Sequence, residues 1–542
     1  MASATENSVV RDRTTGTKTV AAVAVGLSAV LFALGLAALF GVVSITDPIA
    51  GLPSVSINGL LLTALGVAVV SFGVGSRLEF VETEPLPSAG LIAGLAFSGI
   101  WFAVAGLVGS QMLGLGTAGS LALALVTGAG VFAVTVVPRE DVGSTLPAGA
   151  LSLLAGVAFL TGLVGPGWAW EPAGLRATFS AGLTIPAVTL FTSLLTGWSS
   201  AKAYGGFGAR GRHLGAYVLV YLNALSIVAV LFVLVAFTVL KGLPGLINGV
   251  TFGSGVGPSN TINLFGLSYT IVWPVNWPFV MNGVALLNDV NGVLPAIVGT
   301  FWLVVGAVLF AVPLGVGAAV FLTEYAERGR FTQIVEIATN GLWSTPSIVF
   351  GLFGFAFLVP RFGGQKSLLS GMITLGFMLL PLVVITSREA MLAVPDEYRD
   401  ASAALGVTKW ETVRSVVIPA ALPGVVTGII LGVGRIAGET APILLTMAGG
   451  TFVPGSQTAD VVGGFTFTTS PPFVANPELM QATAALPYQL YALISAGVGL
   501  SGNVGSAGQF KWATALVLLV VVLSFYAVGI ATRYYFRRKL HQ

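Results

Sequence analysis

Long uninterrupted runs of apolar residues dominate the chain, and each run has about the length of a helix that crosses a lipid bilayer. A bilayer core requires about 20 predominantly apolar residues per helix. Twelve such runs lie between charged or turn-forming residues. They are residues 20–44, 57–76, 88–108, 117–137, 147–165, 177–197, 216–240, 296–323, 341–360, 367–387, 423–447 and 512–533. The pattern predicts an all-α polytopic membrane protein with about 12 transmembrane helices.

The distribution of basic residues predicts how these helices are oriented. Lysine and arginine are enriched in the cytoplasmic loops of membrane proteins. If the N-terminus is cytoplasmic, 18 of the 24 Lys and Arg residues lie in inner segments, five lie in outer segments, and Arg435 lies within a span. We therefore expect a multi-pass protein of the cell membrane with both termini in the cytoplasm.

The composition supports the membrane assignment and excludes several kinds of site. Only 8% of the 542 residues are charged, whereas soluble domains contain about 25%. The chain has no cysteine and two histidines, which excludes a thiol nucleophile, an iron–sulfur cluster and a histidine-rich metal site. We expect no cofactor. The few basic residues are scattered between apolar runs, so we expect no nucleic-acid partner.

A shift in composition predicts two domains. Residues 1–212 are plain spans of Ala, Gly, Val and Leu with short loops, and we expect an N-terminal extension of about six transmembrane helices. Its function is not indicated, and a non-transporting membrane scaffold is one interpretation. Residues 213–542 carry the charges within the membrane and two long polar segments, 242–295 and 448–511, expected to be extracytoplasmic. Function is therefore expected in residues 213–542.

Residues 394–424, VPDEYRDASAALGVTKWETVRSVVIPAALPG, form an unusual cytoplasmic loop in this topology. Two acidic residues after Pro395 predict a helix start, and Gly406 is expected to end that helix. Lys409–Val417 predict a second short helix that Pro419 closes. Small side chains in the first helix would let another protein approach closely. An ordinary amphipathic interfacial helix is the alternative.

This loop resembles the EAA loop of ABC importer permeases, in which an acidic residue, small residues, a glycine and a later proline recur at fixed spacing. The matching residues are Asp400, Ala401, Ser402, Gly406, Ile418 and Pro419. Asp400 and Ser402 replace the family's usual Glu and Ala. In that family the loop, here residues 396–419, is the coupling helix that docks into a cleft on the ATP-binding subunit.

Three further segments resemble the PstA-type permeases of phosphate-specific ABC importers. They are AVPLGVGAAVFLTEYA (311–326), STPSIVFGLFG (344–354) and LGVGRIAGETAPILLT (431–446). The GETAP motif, Gly438 to Pro442, is the most characteristic. The close resemblance covers about residues 296–447 and implies that residues 213–542 form a six-helix ABC importer permease domain.

The resemblance also implies a substrate and partners. The substrate would be phosphate, and the partners would be a PstB-like ATPase dimer, a second, PstC-like permease and an extracytoplasmic PstS-like phosphate-binding protein. ATP hydrolysis is expected in a separate subunit, because no lysine follows a glycine and the GxxxxGK[ST] phosphate cradle is therefore absent from the sequence. The chain is expected to be a transporter subunit and not an enzyme.

Arg435 and Glu439 are the only opposite charges well inside a predicted span. Four residues apart on one helix, they would share a face and meet. A lone arginine at the bilayer centre costs about 2.5 to 3.5 kcal/mol on insertion scales, so it normally faces a partner, a cavity or a pathway. Chemistry alone leaves two interpretations open. The pair locks the helix against its neighbours, or the arginine offers a bidentate cation to an oxyanion.

The resemblance to phosphate permeases favours the second interpretation and places Arg435, Glu439 and Thr440 in a translocation pathway. In phosphate permeases an arginine often precedes a threonine-rich stretch before the EAA loop. Here Ile385 occupies that place, and Arg388 follows about one helical turn later. A separate charged cluster is expected to form a solvated helix end without a site. It comprises Glu324, Glu327, Arg328 and Arg330.

Two other functions remain open at this point. An ABC permease for another oxyanion, such as molybdate or sulfate, would share the EAA loop but should lack GETAP. A secondary transporter driven by an ion gradient would suit twelve spans and would need no ATPase. Its expected signature, two related halves with interrupted helices at matching positions, is not evident in the sequence.

Overall fold

Long α-helices account for most of the described chain. The computed structural model describes residues 15–45, 47–49, 52–172, 176–264, 267–284, 291–327, 329–449, 457–471, 473–495 and 507–540. Within these residues eleven helices are long and apolar enough to cross a membrane. A pair bent by 101°, Arg330–Ser344 with Ser347–Arg361, makes a twelfth if it is counted as one span. The predicted fold class, an all-α polytopic membrane protein, is confirmed.

The chain forms two compact units, Met1–Leu234 and Val235–Gln542, and the boundary falls inside helix α7 (Gly208–Leu246). The domain boundary predicted between residues 212 and 213 stays a prediction. Six helices precede α7 in the first unit. They are α1 (Thr15–Leu39), α2 (Ser54–Arg77), α3 (Leu91–Leu107), α4 (Thr117–Val136), α5 (Glu140–Leu160) and α6 (Ala181–Tyr204). Two short antiparallel pairs join them, β1 (Pro48–Ile49) with β2 (Leu52–Pro53) and β3 (Ala169–Trp170) with β4 (Phe179–Ser180).

The helices of the first unit pack in nested pairs, α1 against α6, α2 against α5 and α3 against α4. Glycines at intervals of seven residues line the contact between α2 and α5. A Cβ atom at Gly66 would lie 2.8 Å from the carbonyl oxygen of Gly149, and one at Gly59 would lie 2.8 Å from that of Gly156. The two backbones therefore touch directly, as is typical of membrane helices that associate through small residues.

A buried ion pair joins α5 and α6. Lys202 Nζ lies 2.6 Å from Glu140 Oε1, and the two side chains are 1% and 0% exposed. The other oxygen of Glu140 accepts hydrogen bonds from the backbone N–H groups of Leu86 and Gly208. The expectation that Arg435 and Glu439 are the only opposite charges well inside a span stays a prediction. Glu140 is the first residue of α5 and Lys202 lies in the last turn of α6, so the buried pair lies outside the predicted spans 147–165 and 177–197. The sequence pattern hides this pair because its members are 62 residues apart.

Helix α13 (Leu368–Leu392) lies at the centre of the second unit and packs against α9 (Leu294–Val320) and α16 (Ile418–Ala437). The other helices are α8 (Pro278–Met281), α9 (Leu294–Val320), α10 (Arg330–Ser344), α11 (Ser347–Phe353), α12 (Val359–Arg361), α14 (Asp396–Ala404), α15 (Lys409–Thr412), α16 (Ile418–Ala437), α17 (Ala441–Thr446), α18 (Leu486–Ser495) and α19 (Ala507–Leu540). The core around α13 is apolar, with Leu303, Leu375 and Ile436 at most 1% exposed. Glycines again set the spacing: a Cβ atom at Gly376 would meet the Phe310 ring.

The two long polar segments, predicted as loops, contain short regular elements in their described parts. Segment 242–295 includes α8 and two antiparallel pairs, β5 (Thr251–Phe252) with β8 (Val275–Asn276) and β6 (Ser259–Leu264) with β7 (Leu267–Val272). Segment 448–511 includes α18 and the pair β9 (Thr466–Phe467) with β10 (Val474–Ala475). Several residues of both segments lie outside the described residues.

Two predicted spans, 341–360 and 423–447, are not single helices. In the first, α10 ends at Ser344 and α11 begins at Ser347. In the second, α16 ends at Ala437 and α17 begins at Ala441. Each break lies beside a proline, Pro346 or Pro442, which has no N–H group and whose ring clashes with the carbonyl four residues earlier in a continuous helix. The hydrophobic pattern alone did not reveal these breaks.

Substituting Gly66 by alanine is expected to destabilise the protein by about 1 to 3 kcal/mol, because the added Cβ would press against backbone that cannot rotate away. Gly99→Ala is the matched control, since a Cβ there meets no atom within 4 Å. The control should leave stability unchanged or raise it, because alanine is the better helix former. Thermal unfolding of the purified protein in detergent measures both variants. Equal melting temperatures would contradict the backbone contact between α2 and α5.

Candidate functional site

Arg435 lies in the last turn of α16, and Glu439 lies beyond the end of that helix. The prediction that both occupy one helix face is therefore wrong, because the helix ends at Ala437. Their side chains still approach, with Arg435 Nε 3.9 Å from Glu439 Oε1, and they are 33% and 19% exposed. A separation of 3.9 Å is too long for a hydrogen bond, so the carboxylate offsets the charge without occupying the N–H donors.

An aromatic ring covers one face of the Arg435 guanidinium. Arg435 Cζ lies 4.0 Å from the ring centroid of Trp343, at the end of α10. Stacking of this kind is favourable because the negative face of the ring attracts the cation. It also leaves the edge of the guanidinium, where the N–H groups point, uncovered by the ring. Trp343 was not predicted as a site residue.

The two helix breaks belong to helices that touch each other. A Cβ atom at Gly351 of α11 would lie 2.9 Å from the Cα of Pro442 in α17. Only glycine permits this approach without a shift of backbone. Trp343 lies in the last turn of α10, just before the first break, and Glu439 lies in the second break, so two interrupted helices supply the surroundings of Arg435.

This arrangement can bind an anion weakly and release it. Among the described residues Arg435 has an aromatic neighbour and a carboxylate at 3.9 Å, but no hydrogen-bond acceptor for its N–H groups. Thr440 occupies the position before α17, and its side chain makes no capping hydrogen bond. A guanidinium edge matches two oxygens of a tetrahedral oxyanion, and a nearby hydroxyl can donate to a third.

The predicted coupling segment forms two helices that meet at a tight turn. Helix α14 ends at Ala404, and Gly406 adopts the left-handed region with φ of +72°, which a side chain would disfavour. The prediction that Pro419 closes the second helix is wrong. A π-helical turn, Val413–Val417, joins α15 to α16, and Pro419 lies in the first turn of α16, where a missing N–H group is tolerated.

The turn between α14 and α15 encloses a concavity of about 630 Å³. Ala401 lines it from α14, and Leu405 and Val407 line it from the turn. Ser402 also lines it, and its buried Oγ lies 2.7 Å from Thr412 Oγ1, which ties α14 to α15. Asp400 is exposed on the same short helix. The segment therefore presents a fixed, mostly apolar hollow.

Arg388 forms an ion pair with Glu336 of α10. Its Nε atom is buried and has no hydrogen-bond partner among the described residues. The structure thus places Arg388 against α10. Glu336, like Trp343, was missed because nothing in the local sequence links α10 to its partners.

The expectation that Glu324 belongs to a solvated helix end is wrong. Its side chain is 8% exposed, and its Oε1 lies 2.9 Å from Arg399 Nη2 in the coupling segment. Glu327 and Arg330 form no ion pair with another residue that the structure describes, and Arg328 lies outside those residues. A local cluster of charges resembles a solvated surface in sequence, whereas the partner of Glu324 is 75 residues away.

Comparison with known proteins identifies the class of this chain. Residues 311–542 match the family described as "Binding-protein-dependent transport system inner membrane component". The phosphate transport system permease protein PstA 1 of Mycobacterium tuberculosis is 34% identical over 247 residues, which cover 45% of this chain and 72% of that protein. PstA of Haemophilus influenzae is 31% identical over 255 residues, covering 46% and 78%.

Among solved structures, the inward-facing MetNI methionine ABC transporter matches with 18% identity and a TM-score of 0.32, over 45% of this chain and 94% of that one. The family match and the helical architecture define a membrane subunit of an ABC importer. Within that class, the chain belongs to the PstA-type permeases.

Proposed function

We propose that this chain is the transmembrane permease subunit of an ATP-driven phosphate importer. Residues 213–542 form its permease domain, and residues 1–212 are an additional set of membrane helices. The likeness to phosphate transport permeases supports the substrate. The observation that carries the proposal is the Arg435 site, where a guanidinium whose N–H groups have no acceptor among the described residues lies beside two interrupted helices.

Arg435 is the proposed anion-binding cation of the pathway. Trp343 holds one face of the guanidinium, Glu439 offsets its charge, and Thr440 adds a hydroxyl donor or acceptor. Passage requires contacts that are favourable enough for entry and weak enough for release. A half-exposed arginine with a carboxylate at 3.9 Å fits that requirement better than a fully buried pair does.

The segment 396–419 is the proposed contact with an ATPase subunit. Asp400 and Ala401 present the outer face of α14, and Ser402 holds α14 to α15. Gly406 makes the turn, and Pro419 begins the helix that continues to Arg435. The concavity of about 630 Å³ would receive a side chain of the ATPase. Helix α16 then connects the proposed coupling segment to the proposed anion site within one element.

The remaining partners and the orientation follow from the same proposal. We expect a PstB-like ATPase dimer, a PstC-like second permease and an extracytoplasmic PstS-like phosphate-binding protein. The partition of basic residues, 18 inner against five outer, supports cytoplasmic termini in the cell membrane. The coupling segment then faces the cytoplasm, where ATP is available.

The complete complex in proteoliposomes is expected to accumulate phosphate only when ATP is supplied on the ATPase side. Excess sulfate or molybdate should compete poorly, because the proposal assigns phosphate as substrate. Collapse of ion gradients with ionophores is the control and should leave uptake intact. Uptake that requires an ion gradient and no ATP would contradict the proposal in favour of a secondary transporter.

Arg435→Lys keeps the charge but loses the planar fork, so phosphate uptake is expected to fall about tenfold or more while assembly with the partner subunits is retained. Arg361→Lys is the matched control. Arg361 also stacks on an aromatic ring, with Cζ 3.6 Å from the centroid of Phe357, but lies outside the site. Its uptake should match the unmutated protein.

A double variant separates transport from packing at the same position. Arg435→Gln with Glu439→Gln leaves neither charge buried alone, so an ion pair that serves only packing should be replaceable. The proposal expects normal assembly and poor uptake. Uptake at the unmutated rate by a well-assembled double variant would show that Arg435 serves helix packing only.

Gly406→Glu is expected to abolish association with the ATPase while membrane insertion survives. The substitution forces a side chain into the left-handed region and places a bulky charge beside the concavity. Gly363→Glu is the matched control, since Gly363 also has a positive φ, +91°, in an open position outside the segment. Copurification with the ATPase measures both. If the Gly406 variant associates with the ATPase as the unmutated protein does, the segment is an ordinary interfacial helix and not a docking site.

A further inference from the structure

Arg399 directs all the N–H groups of its guanidinium to acceptors. Nε and Nη2 donate to Glu324 Oε1 at 3.3 and 2.9 Å, and Nη2 also donates to the Met391 carbonyl at 3.0 Å. Nη1 donates to the Val394 carbonyl at 2.8 Å and to Asp396 Oδ1 at 3.1 Å. A guanidinium has five N–H groups. The five contacts therefore satisfy it completely, in contrast to Arg435.

Four of these five contacts reach the ends of two core helices, and the fifth, with Asp396, stays within α14. Glu324 lies in the π-helical turn Phe321–Tyr325 that ends α9. Met391 lies in the last turn of α13 and Val394 lies two residues beyond its end, where the helix dipole favours a cation. A second cation of the segment lies nearby, with Lys409 Nζ 5.2 Å from the ring centroid of Tyr325. The segment is thus attached to α9 at two points.

The two sides of α14 have different neighbours. Ala401 and Leu405 line the exposed concavity, whereas Arg399 is partly buried against α9 and α13. Helix α13 in turn packs along α16, which carries Arg435. A physical connection therefore runs from the outer face of α14, through one guanidinium, to the helices around the candidate anion site.

We propose that Arg399 is a positioning residue that passes movement of α14 to α9 and α13. The inference rests on the proposed role of residues 396–419 in ATPase coupling. Arginine is required because its rigid fork contacts a carboxylate and two helix-end carbonyls at once. Lysine would keep the charge, but its single ammonium group cannot reproduce this set of bonds. Loss of the fork leaves α14 able to dock but loosely attached to the core.

The experiment uses the complete complex in proteoliposomes and measures phosphate taken up per ATP hydrolysed. Arg399→Lys should copurify with the ATPase normally and still hydrolyse ATP. Its ratio of uptake to hydrolysis should fall about tenfold, the effect of losing one charge-assisted hydrogen bond. Arg330→Lys, at an exposed arginine of α10 outside the segment, is the matched control and should keep the unmutated ratio.

Glu324→Gln is the second variant, because it preserves shape and removes the ion pair. It should lower the ratio in the same direction and by a smaller factor. An Arg399→Lys ratio equal to that of the control would overturn the proposal. Loss of ATPase association in both variants would also overturn it, since the contact would then only maintain the fold of the segment.

The Gly406→Glu variant keeps this test separate from the proposed function. If Gly406→Glu loses the ATPase while Arg399→Lys keeps normal coupling, the role of Arg399 is refuted and the docking role of the segment stands. If Gly406→Glu retains the ATPase and full uptake, the docking role itself is refuted, and the role of Arg399 falls with it.

Discussion

Direct contact between helix backbones is the constraint on which both units depend. Lipid tails are as apolar as the side chains they contact, so helices in a bilayer gain little by burying apolar surface and associate through close packing instead. Glycines provide that packing between α2 and α5 and again between α11 and α17, where Gly351 meets Pro442. The second contact sets the distance between the helix breaks that carry Trp343 and Glu439. The geometry of the candidate anion site therefore depends on Gly351, a residue that has no functional side chain.

One lysine and two arginines show that a positive charge can have different roles in this structure. Lys202 is fully buried and paired with Glu140 at 2.6 Å, an arrangement that holds α5 to α6. Arg399 is saturated by five acceptors and attaches one helix to two others. Arg435 is half-exposed, is stacked on a ring and has a carboxylate at 3.9 Å. Only the last leaves donors for a passing ligand.

The sequence was sufficient for the membrane fold, because hydrophobic length and the scarcity of charge report directly on the solvent around a helix. It was insufficient for the breaks in α10–α11 and α16–α17, since apolar residues continue across them. The sequence did contain helix-breaking residues at these points, namely Pro346, Gly438 and Pro442. The continuous hydrophobic pattern nevertheless led to the prediction of uninterrupted spans. Pro419 caused the opposite error, a predicted helix end where the helix continues. A proline in the first turn of a helix does not interrupt it.

The candidate site was predictable only where the chemistry is local. Arg435, Glu439 and Gly406 stood out through a charge in an apolar run or a motif. Trp343 and the partnership of Glu324 with Arg399 did not, because these contacts join residues 92 and 75 positions apart. A single sequence gives no signal for a contact between residues so far apart. A charge that appears solvated in its own segment can therefore be buried against another.

Because α9 ends in the π-helical turn Phe321–Tyr325, the number of residues at this end of the helix determines the direction in which its last side chains point. Such a turn contains one residue more than an α-helical turn, and each residue of an α-helix advances the side chains by about 100°. Glu324, the fourth of the five residues of the turn, therefore points in a different direction from the one that a continuous α-helix would give it. Removing one residue there would restore the regular pitch and turn Glu324 from its partner. At this point chain length, more than residue identity, decides whether the carboxylate faces the guanidinium.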